Sequence, residues 1–187
     1  MISAIVCVDK NWGIGYNGEL LVHIPEDMKF FKKKTTNNVV IMGRKTYDSL
    51  PIKPLPNRIN IVVTSKINGM TKIDEDGTIF ATIDFVKAFL GTLSVYSPLD
   101  YYIIGGGQIY NELLPYCNTS YVTKVDYAFE DVDVYFPNLD NEEGWRITKD
   151  GKEKSYNGIE YNFCTYERNV NEYDCFGGRE RQWQIKY

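Results

Sequence analysis

Val39-Val40-Ile41-Met42-Gly43-Arg44-Lys45-Thr46 is an apolar run cut by one glycine, with two cations and a hydroxyl where a helix would open. Short, β-branched apolar runs of this kind read as strands buried on both faces, the habit of parallel sheets. Gly43 lets backbone approach a ligand with no Cβ in the way. A helix start offers unpaired N–H groups and a positive dipole end. Arg44, Lys45 and Thr46 there suit a phosphate-rich ligand, which arginine grips through two parallel hydrogen bonds. The same residues also read as a buried strand followed by a solvated basic turn, so the choice falls to the rest of the chain.

Outward from this junction, Ile2–Val8, Ile59–Val63 and Tyr101–Ile104 repeat the buried-strand pattern. Helical patterns lie between them. Pro25 opens one in which Ile24, Met28 and Phe31 share a face; Ile83–Leu90 starts after Thr82 or at Asp84, and Ile109–Leu114 is a third. Strand and helix alternate to about residue 115, which predicts right-handed crossovers and a parallel sheet. Tyr121–Val125, Trp145–Thr148 and Ile159–Tyr166 then read as strands without helices between them, so the sheet finishes antiparallel. Two segments fall outside this core. Asp9–Val22 is a glycine-bearing loop at the end of the first strand, a place where long loops are commonly functional. Residues 169–187 are polar with four aromatic anchors, and read as a docked extension or a frayed tail.

The 187 residues suit one domain, and 43% hydrophobic with 25% charged residues is an ordinary globular balance. A net charge of −4 argues against general nucleic-acid affinity, so any anionic ligand must be held by a local cluster. Cys7, Cys117, Cys164 and Cys175 show no C-x-x-C spacing, and His23 is the one histidine. Reduced thiols and no metal are expected, in a cytoplasmic protein without a leader or membrane span.

Asp27 draws attention because helical spacing puts it on the face that should be buried, where a carboxylate is costly unless paired or working. A first-turn acid complementing the helix dipole is the alternative. Ile104-Gly105-Gly106-Gly107-Gln108-Ile109-Tyr110 is a second strand–glycine–helix junction. It is not the G-x-G-x-x-G fingerprint, yet three glycines suit backbone lying against a flat ligand, or only a tight turn. Arg58, after Leu55-Pro56-Asn57, enters a strand from the sheet rim and suits a carboxylate. Thr64-Ser65-Lys66 closes that strand with hydroxyls and a cation suited to a phosphate; a solvated rim arginine and an ordinary loop are the alternatives for the two.

In this order the pieces resemble dihydrofolate reductase over about Met1 to Arg168. The resemblance is carried by Ile14-Gly15, Leu20, Asp27, Phe31 and Thr35, then Ile41 to Tyr47 with Ser49-Leu50-Pro51. Leu55 to Arg58, Ile104 to Tyr110, Thr123 and Asp133-Val134-Tyr135-Phe136-Pro137 complete it. It implies an eight-stranded, mostly parallel α/β sheet flanked by helices, and NADPH-dependent reduction of 7,8-dihydrofolate to tetrahydrofolate. It implies that Asp27 holds the amino-pyrimidine edge of the pterin and promotes protonation at N5 while hydride reaches C6. Ile5, Val6, Cys7, Phe31, Leu50, Leu55 and Ile104 would line the substrate pocket, with Thr123 beside Asp27 and Arg58 on the glutamate carboxylate. Gly43, Arg44, Lys45, Thr46, Thr64 and Ser65 would hold the adenine-side phosphates, including the 2′-phosphate. Gly105, Gly106, Gly107, Gln108, Ile109 and Tyr110, with Cys7, Ile14, Gly15 and Leu20, would take the pyrophosphate and nicotinamide side, under a lid formed by Asp9–Val22. No partner is implied for residues 169–187, which have no counterpart in the family pattern.

Four departures stand out. Leu21-Val22 replaces the family's Pro-Trp, removing an indole that makes a water-mediated contact to substrate. Gln108 stands where an arginine is common, one extra residue falls within Pro51–Pro54, and the tail is additional. A reductase acting on another pterin-like or pyrimidine substrate, and a non-catalytic binding module, are the competing readings; Asp27 together with Arg58 argues against the former.

Overall fold

The computed structural model describes residues 1–93 and 97–169. From the N-terminus the elements are β1 (Ile2–Val8), β2 (Gly13–Tyr16), β3 (Glu19–Leu20), α1 (Pro25–Thr35), β4 (Val39–Gly43) and α2 (Arg44–Ser49). Then come β5 (Ile59–Val63), β6 (Thr71–Ile73), β7 (Ile79–Ala81), α3 (Ile83–Thr92), β8 (Tyr101–Ile103) and α4 (Gly107–Leu113). The remainder is strand: β9 (Thr119–Val125), β10 (Val134–Tyr135), β11 (Trp145–Asp150), β12 (Lys154–Tyr156) and β13 (Ile159–Arg168).

One ten-stranded sheet runs β11-β13-β9-β1-β8-β4-β5-β7-β6, with β12 paired to β13. The six strands from β9 to β7 are parallel to one another, and β13, β11, β12 and β6 are antiparallel additions. The eight strands expected are therefore present, and β6 and β12 add to them. Both additions are three residues long and exposed throughout, so they carry no apolar alternation to betray them.

Period-two alternation divides the core between the two faces of the sheet. Val39 and Ile41 join Ala4, Val6, Ile61 and Ile103 under α3 and α4, whereas Val40 and Met42 join Ile5, Val62 and Tyr102 on the other side. That second face is covered by Phe30 and Phe31 of α1 and by Leu50 and Leu55. The inward stripe of α1 is Asp27 and Thr35, buried, with Phe30, Phe31 and Lys34 half-buried, one residue round from the face expected; Met28 is 38% exposed. Phe30 takes the inward place, its ring 4.9 Å from Phe163 and 6.0 Å from Tyr121. For α3 the cap is Thr82, whose hydroxyl oxygen accepts from Phe85 N.

Asp9–Val22 is more ordered than a loop. β2 and β3 form a hairpin, and β10 pairs with β2 to make a separate three-stranded sheet. Those partners lie over a hundred residues apart in sequence, which hides the pairing from any local reading. The extension expected at 169–187 lies, Asn169 apart, outside the described residues, as does Cys175.

Candidate active site

After β4 the chain steps outward to β5 and β7, then returns to insert β8 between β1 and β4. Ligand crevices in such sheets open at the carboxyl ends of strands near a reversal of this kind. Both glycine junctions stand there side by side. Gly43 N donates to Gly105 O at 2.7 Å, and the Gly105–Gly106 peptide is cis. A Cβ on Gly43 would sit 3.0 Å from Ile109 Cγ1, and one on Gly106 3.3 Å from Thr46 Oγ1. The strand-ends and glycines thus form a backbone cradle that side chains would fill.

Gly107 is tighter still, since a Cβ there would lie 2.6 Å from Val134 Cγ1 and 3.2 Å from Tyr135 O. Gly107→Ala is expected to cost about 1–3 kcal/mol, the range for forcing extra volume into a packed site. Urea unfolding should show a lower midpoint with unchanged slope; an unshifted midpoint would mean that β10 yields freely.

Asp27 is 7% exposed on the inner face of α1, and Thr123 Oγ1 from β9 donates to its Oδ1 at 2.6 Å. Burial raises its pKa, and the Thr123 hydrogen bond opposes that rise. No cation pairs with it among the described residues, so Asp27 is an acid poised nearer to neutrality than an exposed aspartate. Nearby, burial first and the Asp27 charge second push the Cys7 thiol up, which keeps it protonated and inert.

Of the residues expected on the substrate side, Ile5, Phe31, Leu50, Leu55 and Ile104 gather on the α1 face of the sheet. Val6 does not. Alternation along β1 turns its side chain into the opposite core, leaving only its backbone for the cleft. Arg58 is half-buried at the rim: Nε donates to Thr35 Oγ1 at 2.8 Å, Nη1 donates to Pro56 O at 2.6 Å, and the guanidinium lies 5.8 Å from the Phe31 ring centre. Partial burial lowers its pKa, yet arginine remains cationic. This fixes the guanidinium beside the apolar floor with Nη2 still to donate.

Of the residues expected on the cofactor side, Arg44 is exposed, its Nε bonded to both carboxylate oxygens of Asp48 at 2.9 and 3.0 Å and its guanidinium 5.4 Å from the Phe80 ring centre. Lys45 and Ser65 are exposed too, whereas Thr64 is buried and its Oγ1 accepts from Lys66 N at 3.1 Å, leaving one hydroxyl hydrogen to offer. Gln108 is exposed. Ile109 and Tyr110 depart from expectation: both side chains are buried in the core beneath α4, and Tyr110 donates its hydroxyl to Ile5 O at 2.7 Å. They back the glycine cradle from beneath. On the hairpin, Ile14 and Gly15 are buried while Leu20 is 49% exposed. Cys7, Ile14, Leu20 and Val22 line one cavity of about 10 Å³, room for a single water. The sequence reading missed Asp9, the second buried carboxylate, because an acid just past a strand reads as a loop residue.

A rim of exposed cations, a glycine cradle and an apolar floor with one buried acid suit a class: α/β oxidoreductases that set a nucleotide cofactor against a small planar substrate. The dihydrofolate reductase family model matches residues 1–168. Dihydrofolate reductase of Bacillus subtilis (strain 168) is 37% identical over 171 residues, covering 90% of this chain and 95% of the relative. A bifunctional dihydrofolate reductase-thymidylate synthase of Paramecium tetraurelia is 34% identical, covering 86% of this chain and 33% of that longer protein. Among solved structures, dihydrofolate reductase from Enterococcus faecalis complexed with NADP(H) and RAB-propyl superposes with a TM-score of 0.74. It is 31% identical, covering 91% of this chain and 97% of that one. The chain belongs to the dihydrofolate reductase family.

Proposed function

We propose that Asp27 is the proton-handling group of this chain's NADPH-dependent reduction of 7,8-dihydrofolate to tetrahydrofolate. The single observation that carries the assignment is a buried carboxylate, unpaired with any cation among the described residues, held by Thr123 at the end of an apolar floor. Its orientation and raised pKa let it accept hydrogen bonds from the amino-pyrimidine edge of a pterin and favour a proton at N5. Phe31, Leu50, Leu55 and Ile104 would sandwich the rings, and Arg58 Nη2 would take the α-carboxylate of the glutamate.

When bound, NADPH supplies the hydride that C6 receives. The residues present fit it: the Gly43/Gly105/Gly106 cradle leaves room for backbone to meet a flat ligand, and Arg44 and Lys45 offer exposed cations beside it. Arg44, Lys45, Thr46, Thr64 and Ser65 would hold the phosphates, and Cys7, Ile14 and Leu20 would exclude water from the nicotinamide end. Residues 1–168 form the catalytic domain in this reading, and 169–187 an appended segment. No described helix is long and apolar enough to cross a membrane. A cytoplasmic setting is inferred from the free thiols of Cys7, Cys117 and Cys164 together with the bacterial relatives. The overall test is loss of absorbance at 340 nm with NADPH and dihydrofolate, expected to be fast and to require both; no turnover would refute the proposal.

Val22, which the resemblance sets where the family has tryptophan, packs at the edge of a cluster with Cys7, Ile24, Val125 and Tyr161. Valine offers no indole N–H to a water beside the substrate, so protonation should be the slower for it. Val22→Trp is expected to raise the single-turnover hydride rate at matched pH, with dihydrofolate affinity kept by Asp27 and Arg58. A variant that folds normally yet transfers hydride more slowly would show that this chain delivers its proton by another route.

A further inference from the structure

We propose that Asp9 is a positioning residue for hydride transfer, clamping the β2–β3 hairpin to the 126–133 segment so that Ile14 and Leu20 cover the cleft. The proposal rests on the reading of that hairpin as the cover of the nicotinamide site. Asp9 is 3% exposed and follows β1 directly, two residues beyond Cys7. Its Oδ1 accepts from Asn11 N at 2.8 Å and Gly13 N at 2.7 Å, and its Oδ2 accepts from Phe129 N at 3.1 Å. One carboxylate therefore ties the root of the hairpin to a segment far away in sequence.

The surroundings are built for this link. A Cβ on Gly13 would lie 3.1 Å from Asp9 Oδ1 and 2.7 Å from Val132 Cγ1, so the glycine makes room for both arms. Trp12 adopts φ 65°, and its ring is wedged against Phe136 and Tyr166, which fixes the turn between the arms. Beyond Gly13, β2 carries Ile14 and Gly15 along β10, and Val134 of β10 abuts Gly107 at the start of α4. A shift at Asp9 is thus passed to the cover and toward the glycine cradle.

Chemistry explains the choice of residue. All three partners are N–H donors, and only a carboxylate offers acceptors on both sides. Asparagine would keep one acceptor for Asn11 and Gly13 but turn an NH₂ toward the Phe129 N–H. That opens one arm of the clamp and leaves the side-chain volume unchanged. Misplacement of about 1 Å far from the reacting atoms can slow a step by up to about a hundredfold, so an effect of about tenfold is expected here.

The experiment compares full-length wild type, Asp9→Asn and a chain in which the Phe129 amide is replaced by an ester, which removes the N–H and leaves every side chain unchanged. Single-turnover hydride transfer with saturating NADPH and dihydrofolate, dihydrofolate Kd, and hydrogen exchange of residues 10–20 with and without NADPH are measured. Val86→Ala, in the core under α3, serves as a comparator of lowered Tm. We expect Asp9→Asn and the ester to transfer hydride about tenfold more slowly, with Kd within about twofold and lost protection over residues 10–20. Val86→Ala should keep the wild-type hydride rate. Hydride transfer within about twofold of wild type in the ester chain, or in Asp9→Asn where it folds, overturns the clamp, as does equal slowing in Val86→Ala. Absence of NADPH-dependent protection at 10–20 in wild type overturns instead the hairpin's role as a cover, and the clamp with it.

Discussion

Asp27→Asn is expected to fold, to bind NADPH, and to transfer hydride to dihydrofolate at pH 7 about 10²–10⁴-fold more slowly than wild type, the usual yield of a placed acid or base. The amide preserves shape and still accepts from Thr123, so the loss isolates the carboxyl's charge and proton. Stability should move the other way. Burial raises the folded pKa of Asp27 above its ordinary 3.8, so the folded state holds the proton more tightly than the unfolded chain. The carboxyl's favourable contribution is complete below pH 3.8 and is lost as pH rises through the folded pKa. At pH 7 the variant should therefore melt no lower than wild type, and its advantage should vanish in acid. A lower Tm at pH 7 would mean that the charged carboxylate is satisfied by partners beyond Thr123.

Arg44→Ala is expected to weaken NADPH by at least about tenfold and NADH far less, since a charge-assisted contact to phosphate contributes roughly 1.5–3 kcal/mol. The Arg44–Asp48 pair does not oppose this. Both side chains are about half exposed, at 48% and 51%, and an ion pair in such a setting contributes between nothing and about 1 kcal/mol. The bond to Asp48 uses Nε and leaves both terminal nitrogens for the ligand. Equal losses for the two cofactors, read from competitive titration, would show that Arg44 touches something other than the 2′-phosphate.

The parts legible in the sequence were those encoded locally. Val39–Met42 announces a strand buried on both faces because both faces are apolar, Pro25 marks a helix start by its fixed φ at the first position, and Thr82 marks another by capping. Asp27 was visible because a carboxylate on a buried stripe conflicts with its surroundings. Where one residue of phase decides, the reading slipped. Met28 and Phe30 are both apolar, and only Phe163 and Tyr121, distant in sequence, select Phe30 for the interior. The resemblance puts Val6 with Ile5 and Cys7 in the pocket lining, while alternation along β1 sends its side chain to the other face. Ile109 and Tyr110 follow the glycine run directly, yet the helix turns them into the core. The hairpin β2–β3 and the role of Asp9 depend on β10 and Phe129, which no window around residues 9–22 contains.

The pH dependence of single-turnover hydride transfer, followed at 340 nm in wild type and Asp27→Asn from about pH 5 to 9, tests most directly the claim that Asp27 handles the proton. In wild type the rate should fall as pH rises through one ionisation lying above the ordinary aspartate range, because the proton needed at N5 is progressively lost. The Asn variant should lack that step and regain part of its rate toward acid, where substrate protonated in solution bypasses the missing carboxyl. A variant that keeps most of the wild-type rate at pH 7, or repeats the wild-type profile, would contradict the assignment.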